Sequence, residues 1–128
     1  MARLSPNWLL ARLAAAGATL VTCPRSNAWT GAGDPPVERF YASGVRVAVG
    51  TDSLGSVDDL TVFAELAALR RLAPSVPASR LLESATRAGA EALGFGTELG
   101  TIEPGKRAQL IAVRLPGSLD DVEEYLVS

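Results

Sequence analysis

Two short runs rich in β-branched residues, Ala18–Cys23 (ATLVTC) and Val45–Val49 (VRVAV), are separated only by residues 24–44. Between them, Asp34-Pro35-Pro36 offers a cap followed by prolines, and Val37, Phe40 and Tyr41 give a short helix that Gly44 stops. Strand, loop, helix and strand in so short a stretch make a βαβ unit. Its two strands must run parallel, with a right-handed crossover.

The rest of the chain fits around that unit. Ser5-Pro6 is a cap followed by proline, and Leu10, Leu13 and Ala14 recur at helical spacing, so a helix is expected over residues 6–16, closed by Gly17. Ala18–Cys23 reads as a buried strand, and Pro24 to Asp34, which lacks periodicity and carries Gly31 and Gly33, as a long loop. Ser56-Val57-Asp58-Asp59 is a variant of the capping box. With Leu60, Phe63, Ala64 and Ala67 on one face, it predicts a helix over residues 57–72. Another is expected from Pro77 to about Leu93, with Leu81, Ala85, Ala88 and Ala92 aligned and a break near Gly89. Beyond Gly94, Gly100–Glu103 and Ala108–Arg114 are strand-like runs about a Pro104-Gly105 turn of type II, and residues 115–128 begin a further helix or fray.

Composition excludes several chemistries. The chain has no histidine, so imidazole-based triads, HExxH zinc sites and HxH metal pairs cannot be completed within it. A single cysteine forbids an internal disulfide and suits a reducing, cytoplasmic compartment. Twelve basic against 14 acidic side chains give no positive field for nucleic acid or an anionic membrane. The weakly polar run from Leu13 to Cys23 is far short of a membrane span, and Arg12 interrupts any signal-like stretch.

Parallel strands bring the segments after Cys23 and after Gly50 to one sheet edge, where α/β folds keep their sites. Cys23-Pro24-Arg25-Ser26-Asn27 and Gly50-Thr51-Asp52-Ser53 therefore meet. Asp52 follows an apolar strand, where a carboxylate either meets a metal, a cation or hydrogen-bond donors, or simply caps the next turn. Both readings are open. Arg25, Ser26 and Asn27 are candidates to bind a polar or anionic group, or to hydrogen-bond the loop to itself. Cys23 reads as a small filler with no histidine to activate it, and Trp8 and Trp29 as packing residues. Gly31-Ala32-Gly33 fails as a dinucleotide turn because Pro36 takes the third glycine's place, and Leu54 takes that of a second carboxylate in a DxD pair.

Four segments, VTCPRSNAWTGAGDPPVERFYASGVRVAVGTDS, DLTVFAELAAL, ESATRAGAEALGF and LGTIEPGKRAQLIAV, together resemble the C-terminal end of amidohydrolase-superfamily enzymes. The branch is that of the cytosine, guanine, adenosylhomocysteine and aminofutalosine deaminases and the triazine hydrolases, and the likeness runs from about Leu4 to Val113. The resemblance implies an α/β fold. Residues 1–98 would be the C-terminal portion of a (β/α)8 barrel, holding its seventh and eighth strands, and residues 99–128 would be β-sandwich strands and tail.

The same resemblance implies a catalytic divalent metal, zinc or alternatively iron. Asp52 is implied as both metal contact and proton shuttle, and Arg25, Asn27 and Ser53 as substrate-binding residues. Cys23 stands where many relatives carry histidine, and Gln109 where they usually carry aspartate. The family's histidine ligands are absent, and a complete barrel needs about 250 residues.

The expectation is a fragment that starts just after the sixth strand, with Met1 an internal methionine or the product of a split gene. It would belong to a hydrolase of non-peptide C–N bonds, deaminating a purine-like or related heterocycle, and would itself bind no metal and be inactive. Two other readings stand beside it: a non-catalytic half-barrel that pairs with itself or another chain, and an unrelated signalling domain with Asp52 as phosphoacceptor.

Overall fold

The computed structural model describes residues 7–128, so the expected roles of Ser5 and Pro6 lie outside the described residues. Helix α1 (Asn7–Ala15) ends in a left-handed Gly17, φ +66. The Ala18 N–H returns to Leu13 and the Gly17 N–H to Ala14, each at 3.0 Å, which is the paired closure expected of a glycine past a helix end.

Strands β1 (Thr19–Thr22) and β2 (Arg46–Val49) pair in parallel, with Leu20 opposite Val47 and Thr22 opposite Val49. The strand direction read from the sequence is therefore correct, but the burial of β1 is not. Val21 is 57% exposed and Thr22 alone of β1 is buried. The helices over residues 37–42, 62–72, 78–85 and 87–92 pack on β2, while β1 has no second strand beside it among the described residues.

The segment expected to be a long loop begins instead with α2 (Pro24–Thr30). Pro24 at the first helical turn needs no N–H partner, Gly31 closes the helix at φ 71, and Thr30 Oγ1 donates to the Ser26 carbonyl at 2.9 Å. Lacking apolar periodicity, this helix is marked only by its ends. Helix α3 (Val37–Ala42) forms as expected, although Pro36 rather than Asp34 occupies its cap position.

Helix α4 (Val62–Leu72) starts well after residue 57 and buries a different face from the expected one. Glu65, Leu66, Ala68 and Leu69 point inward, whereas Leu60 and Phe63 are exposed. The inward face is fixed by a core of Leu66, Leu69, Val37, Leu81 and Val127, which the i, i+3, i+4 pattern from Leu60 misses by part of a turn. The next helix breaks at Thr86 (φ −125, ψ −94) rather than near Gly89, giving α5 (Ala78–Ala85) and α6 (Arg87–Ala92). A second cluster, Leu10, Phe40, Val45 and Val47, lies on the α1 side, and Tyr41 packs against both.

The expected β element at residues 100–114 is absent. Pro104-Gly105 makes its turn, with the Lys106 N–H on the Glu103 carbonyl at 3.1 Å and Gly105 at φ 90, but no strand flanks it. Ile102, at 88% exposure, and the exposed Leu110 and Ile111 have no ladder partner, and a lone extended run does not hold as a strand. The C-terminal segment returns to the body as α7 (Val122–Val127). Asp121 caps it by accepting the Glu124 N–H at 2.9 Å, Arg70 meets Glu124 at 2.7 Å, and Val127 is fully buried against α4 and α5.

Candidate functional site

Both strands end at the same edge. Gly50 donates its N–H to the Thr22 carbonyl at 3.0 Å, carrying the pairing one residue past β2. A Cβ at Gly50 would lie 3.3 Å from Cys23 Sγ, so the two strand ends are in close contact there. Two residues on, Asp52 adopts φ 63, a left-handed conformation that aspartate tolerates better than most side chains.

This turn aims the Asp52 carboxylate at the first turn of α2. Ser26 Oγ lies 2.7 Å and Ser56 Oγ 3.1 Å from the same oxygen, Oδ2, and the two hydroxyls are 2.8 Å apart. Each hydroxyl has one proton, so the three close contacts share two donations: both can go to Asp52, and if one hydroxyl donates to the other, the second still donates to the carboxylate. The Ser26 bond, then the Ser56 bond, hold the Asp52 carboxyl below the ordinary aspartate range despite partial desolvation, and the Ser53 N–H adds to them. Asp52 is thus charged at neutral pH. With Leu20, Cys23, Ser26, Asn27 and Phe40 it lines an open recess of about 390 Å³.

The other expected site residues lie around this edge. Arg25 sits half-buried, its guanidinium 2.8 Å from Asp59 and 3.7 Å from Glu65. The Arg25 hydrogen bond draws Asp59 down to about 2. Asn27 walls the recess, and its carbonyl accepts the Ala32 N–H at 3.0 Å, which ties off α2. Ser53 is exposed and orders the turn: its hydroxyl accepts the Gly55 N–H at 3.3 Å and its carbonyl the Ser56 N–H at 2.9 Å.

Cys23 stays a thiol, because burial first, and then the charges of Asp52 and Glu65, raise its pKa. Trp8 and Trp29 are not packing residues as expected. Both are exposed, Trp29 at 65%, and the Arg12 guanidinium stacks over Trp8 at 5.9 Å from the ring centroid.

Ser56 and Glu65 are site residues that the sequence reading passes over. Ser56 looks like a helix cap, yet its position four residues after Asp52 in a glycine-containing turn brings it back to the carboxylate. Glu65 is wholly buried beneath α2, with Oε2 accepting the Arg25 backbone N–H at 3.2 Å. An acid set in the apolar run VFAELAAL (residues 62–69) is the signal that marks it.

As a metal site the donor set is incomplete. No group of three His, Cys, Asp or Glu side chains converges for an ion among the described residues, and the chain contains no imidazole. Asp52 offers one carboxylate, so these residues alone do not fit a divalent metal.

Comparison with known proteins gives a concordant picture. Residues 2–126 match the family model described as the amidohydrolase family. A 5-methylthioadenosine/S-adenosylhomocysteine deaminase of Teredinibacter turnerae is 39% identical over 111 residues, which cover 81% of this chain and 25% of that enzyme. The crystal structure of an adenosine deaminase from Xanthomonas campestris with bound zinc superimposes with a TM-score of 0.87 at 34% identity, over 97% of this chain and 31% of that one. An atrazine chlorohydrolase from Arthrobacter aurescens, complexed with zinc, gives 0.79 at 27% identity, over 99% and 31%. The chain therefore spans about a quarter of the length of the curated relative and under a third of the solved ones.

Proposed function

Because the chain belongs to the amidohydrolase family, we propose that it is the C-terminal part of a metal-dependent hydrolase of non-peptide C–N bonds, one that deaminates a purine-like or related heterocycle. The observation that carries this reading is the Asp52 carboxylate, turned at the end of the second parallel strand and anchored by two hydroxyls. The deaminase names of the relatives support the substrate class. In the whole enzyme residues 1–98 would complete a (β/α)8 barrel and residues 99–128 would supply sandwich strands and tail, in a cytoplasmic protein.

Deamination needs a water oxygen delivered to the carbon bearing the amine and a proton delivered to the departing nitrogen. Asp52, charged and fixed at Oδ2, would take the water's proton on Oδ1, which neither serine hydroxyl meets, and pass it to the leaving group as ammonia departs. Asn27 and Ser53 would contact the substrate at the recess and its rim. Arg25 reaches an anionic substrate group by giving up Asp59 for it. A divalent ion, zinc or alternatively iron, would require its remaining ligands from polypeptide other than these residues.

The test is a chimera in which this chain replaces the matched segment of the Teredinibacter enzyme. Ammonia release from 5′-methylthioadenosine is expected from the chimera, reduced about 10²–10⁴-fold by Asp52→Asn, and absent from residues 1–128 alone with zinc. Full activity in Asp52→Asn, or turnover by the isolated chain, contradicts the reading.

A second reading, a non-catalytic half-barrel that pairs with itself or with another chain, draws support from the one-sided pairing of β1 and the exposed Leu110 and Ile111. A clean soluble dimer in size-exclusion chromatography favours it, and aggregation favours an incomplete enzyme.

A further inference from the structure

Helix α2 lacks the usual means of holding its first turn. Its cap residue is Cys23, which makes no side-chain capping bond, and Pro24 has no N–H to offer. The first free donor is the Arg25 N–H, and its partner comes from forty residues away: Oε2 of Glu65, at 3.2 Å. With seven residues, α2 is too short to persist on local propensity, so what grips its start decides where it sits.

Glu65 is itself placed at a cost. It is 0% exposed on the inward face of α4, next to Leu66, and Oε1 makes no hydrogen bond, with only the Arg25 guanidinium 3.7 Å away. A hydrophobic side chain there would avoid that desolvation. What an acceptor achieves at this position, and a hydrocarbon does not, is to satisfy the Arg25 N–H. One residue further along α2 is Ser26, whose buried hydroxyl meets Asp52 and Ser56.

We propose that Glu65 is a positioning residue: its carboxylate caps α2 from the inward face of α4, in place of the missing cap side chain, and thereby sets Ser26 against Asp52. The capping stands on the geometry alone, and its bearing on catalysis rests on the reading of Asp52 given above. Burial raises the Glu65 pKa, and the Arg25 N–H and guanidinium oppose that shift. Neutral or charged, Oε2 remains an acceptor for the N–H.

Two substitutions of similar size separate acceptor from bulk. Glu65→Gln keeps a carbonyl oxygen within reach of the Arg25 N–H, and Glu65→Met fills the space with no oxygen. In the full 128-residue chain, labelled with ¹³C and ¹⁵N and followed by NMR hydrogen exchange, Glu65→Met is expected to speed exchange of the Arg25 amide about tenfold or more, the loss of one hydrogen bond.

The Ser26 Cβ resonance should shift in the same variant, while α5 amides such as Leu81 stay protected. Glu65→Gln should restore both signals to within about threefold of the parent. Equal behaviour of the Gln and Met variants, or loss of protection that spreads to α5, overturns the proposal. Asp52→Asn should leave the Arg25 amide unchanged, so a failure of the catalytic reading and a failure of the cap are told apart.

Discussion

The hydroxyl of Ser26, in the first turn of α2, lies 2.7 Å from Oδ2 of Asp52, beyond the end of β2. The bond joins the segments that follow the two parallel strands. It is also the first cause of the lowered Asp52 pKa. Ser26→Ala should move that carboxyl back up toward the ordinary aspartate value, followed by NMR titration of the Asp52 side-chain carbon. An unchanged midpoint would show that Ser56 and the Ser53 N–H suffice. Because the folded value is depressed, the stabilisation linked to Asp52 is present above its unfolded value and fades as pH falls through the folded one.

Arg25 stands between two carboxylates displaced in opposite directions. Asp59, held at about 2, contributes stability above its unfolded value near 3.8 and loses it as the pH drops through about 2. Glu65, raised by burial, favours the fold most below its unfolded value near 4.5 and loses that contribution as pH rises through its folded value. Asp59→Asn should therefore flatten the acid side of the stability profile between about pH 4 and 2, read as denaturation midpoints. Parallel profiles for parent and variant would remove Asp59 from the account.

Leu69 is completely buried beside Leu66, Leu81 and Val127. Leu69→Ala should cost about 2–5 kcal/mol in urea unfolding. A loss below about 1 kcal/mol would mean that α4 and α7 close over the cavity.

Gly100 and Gly105 both have positive φ, +93 and +90, but only Gly100 is crowded. A Cβ there would lie 2.8 Å from Ala90 Cβ and 2.9 Å from Arg87 Cα, whereas Gly105 faces open space. Gly105→Ala should cost about 1–2 kcal/mol for left-handed strain alone, and Gly100→Ala distinctly more, measured as the difference in thermal midpoint. Equal shifts would mean that the chain after α6 simply moves aside.

What the sequence disclosed and what it hid divide along one physical line. Parallel pairing, and with it the meeting of Asp52 with the segment after Cys23, follows from β-branched runs and a short crossover, which local chemistry dictates. Helix α2 escaped because its polar residues carry no apolar period, and only Pro24 and Gly31 announce it. Ser56 reads as a cap in the sequence, yet its hydroxyl serves Asp52 across a turn rather than the next helix. The buried face of α4 is not legible locally, because Leu60 and Phe63 look like core residues until Leu66, Leu69 and the returning Val127 fix the helix rotation. The strand-like runs after Gly100 have β character without a neighbour to pair with.

The backbone at Asp52 governs how its chemistry can be interrogated. At φ 63 it occupies a region that suits aspartate and asparagine and penalises an alanine methyl. Under the proposed role of Asp52, truncation to alanine would thus blend the loss of a proton carrier with a rearranged loop, and a loss of activity could be blamed on either. The amide isostere preserves the kink while abolishing the exchangeable charge, which makes asparagine the informative replacement.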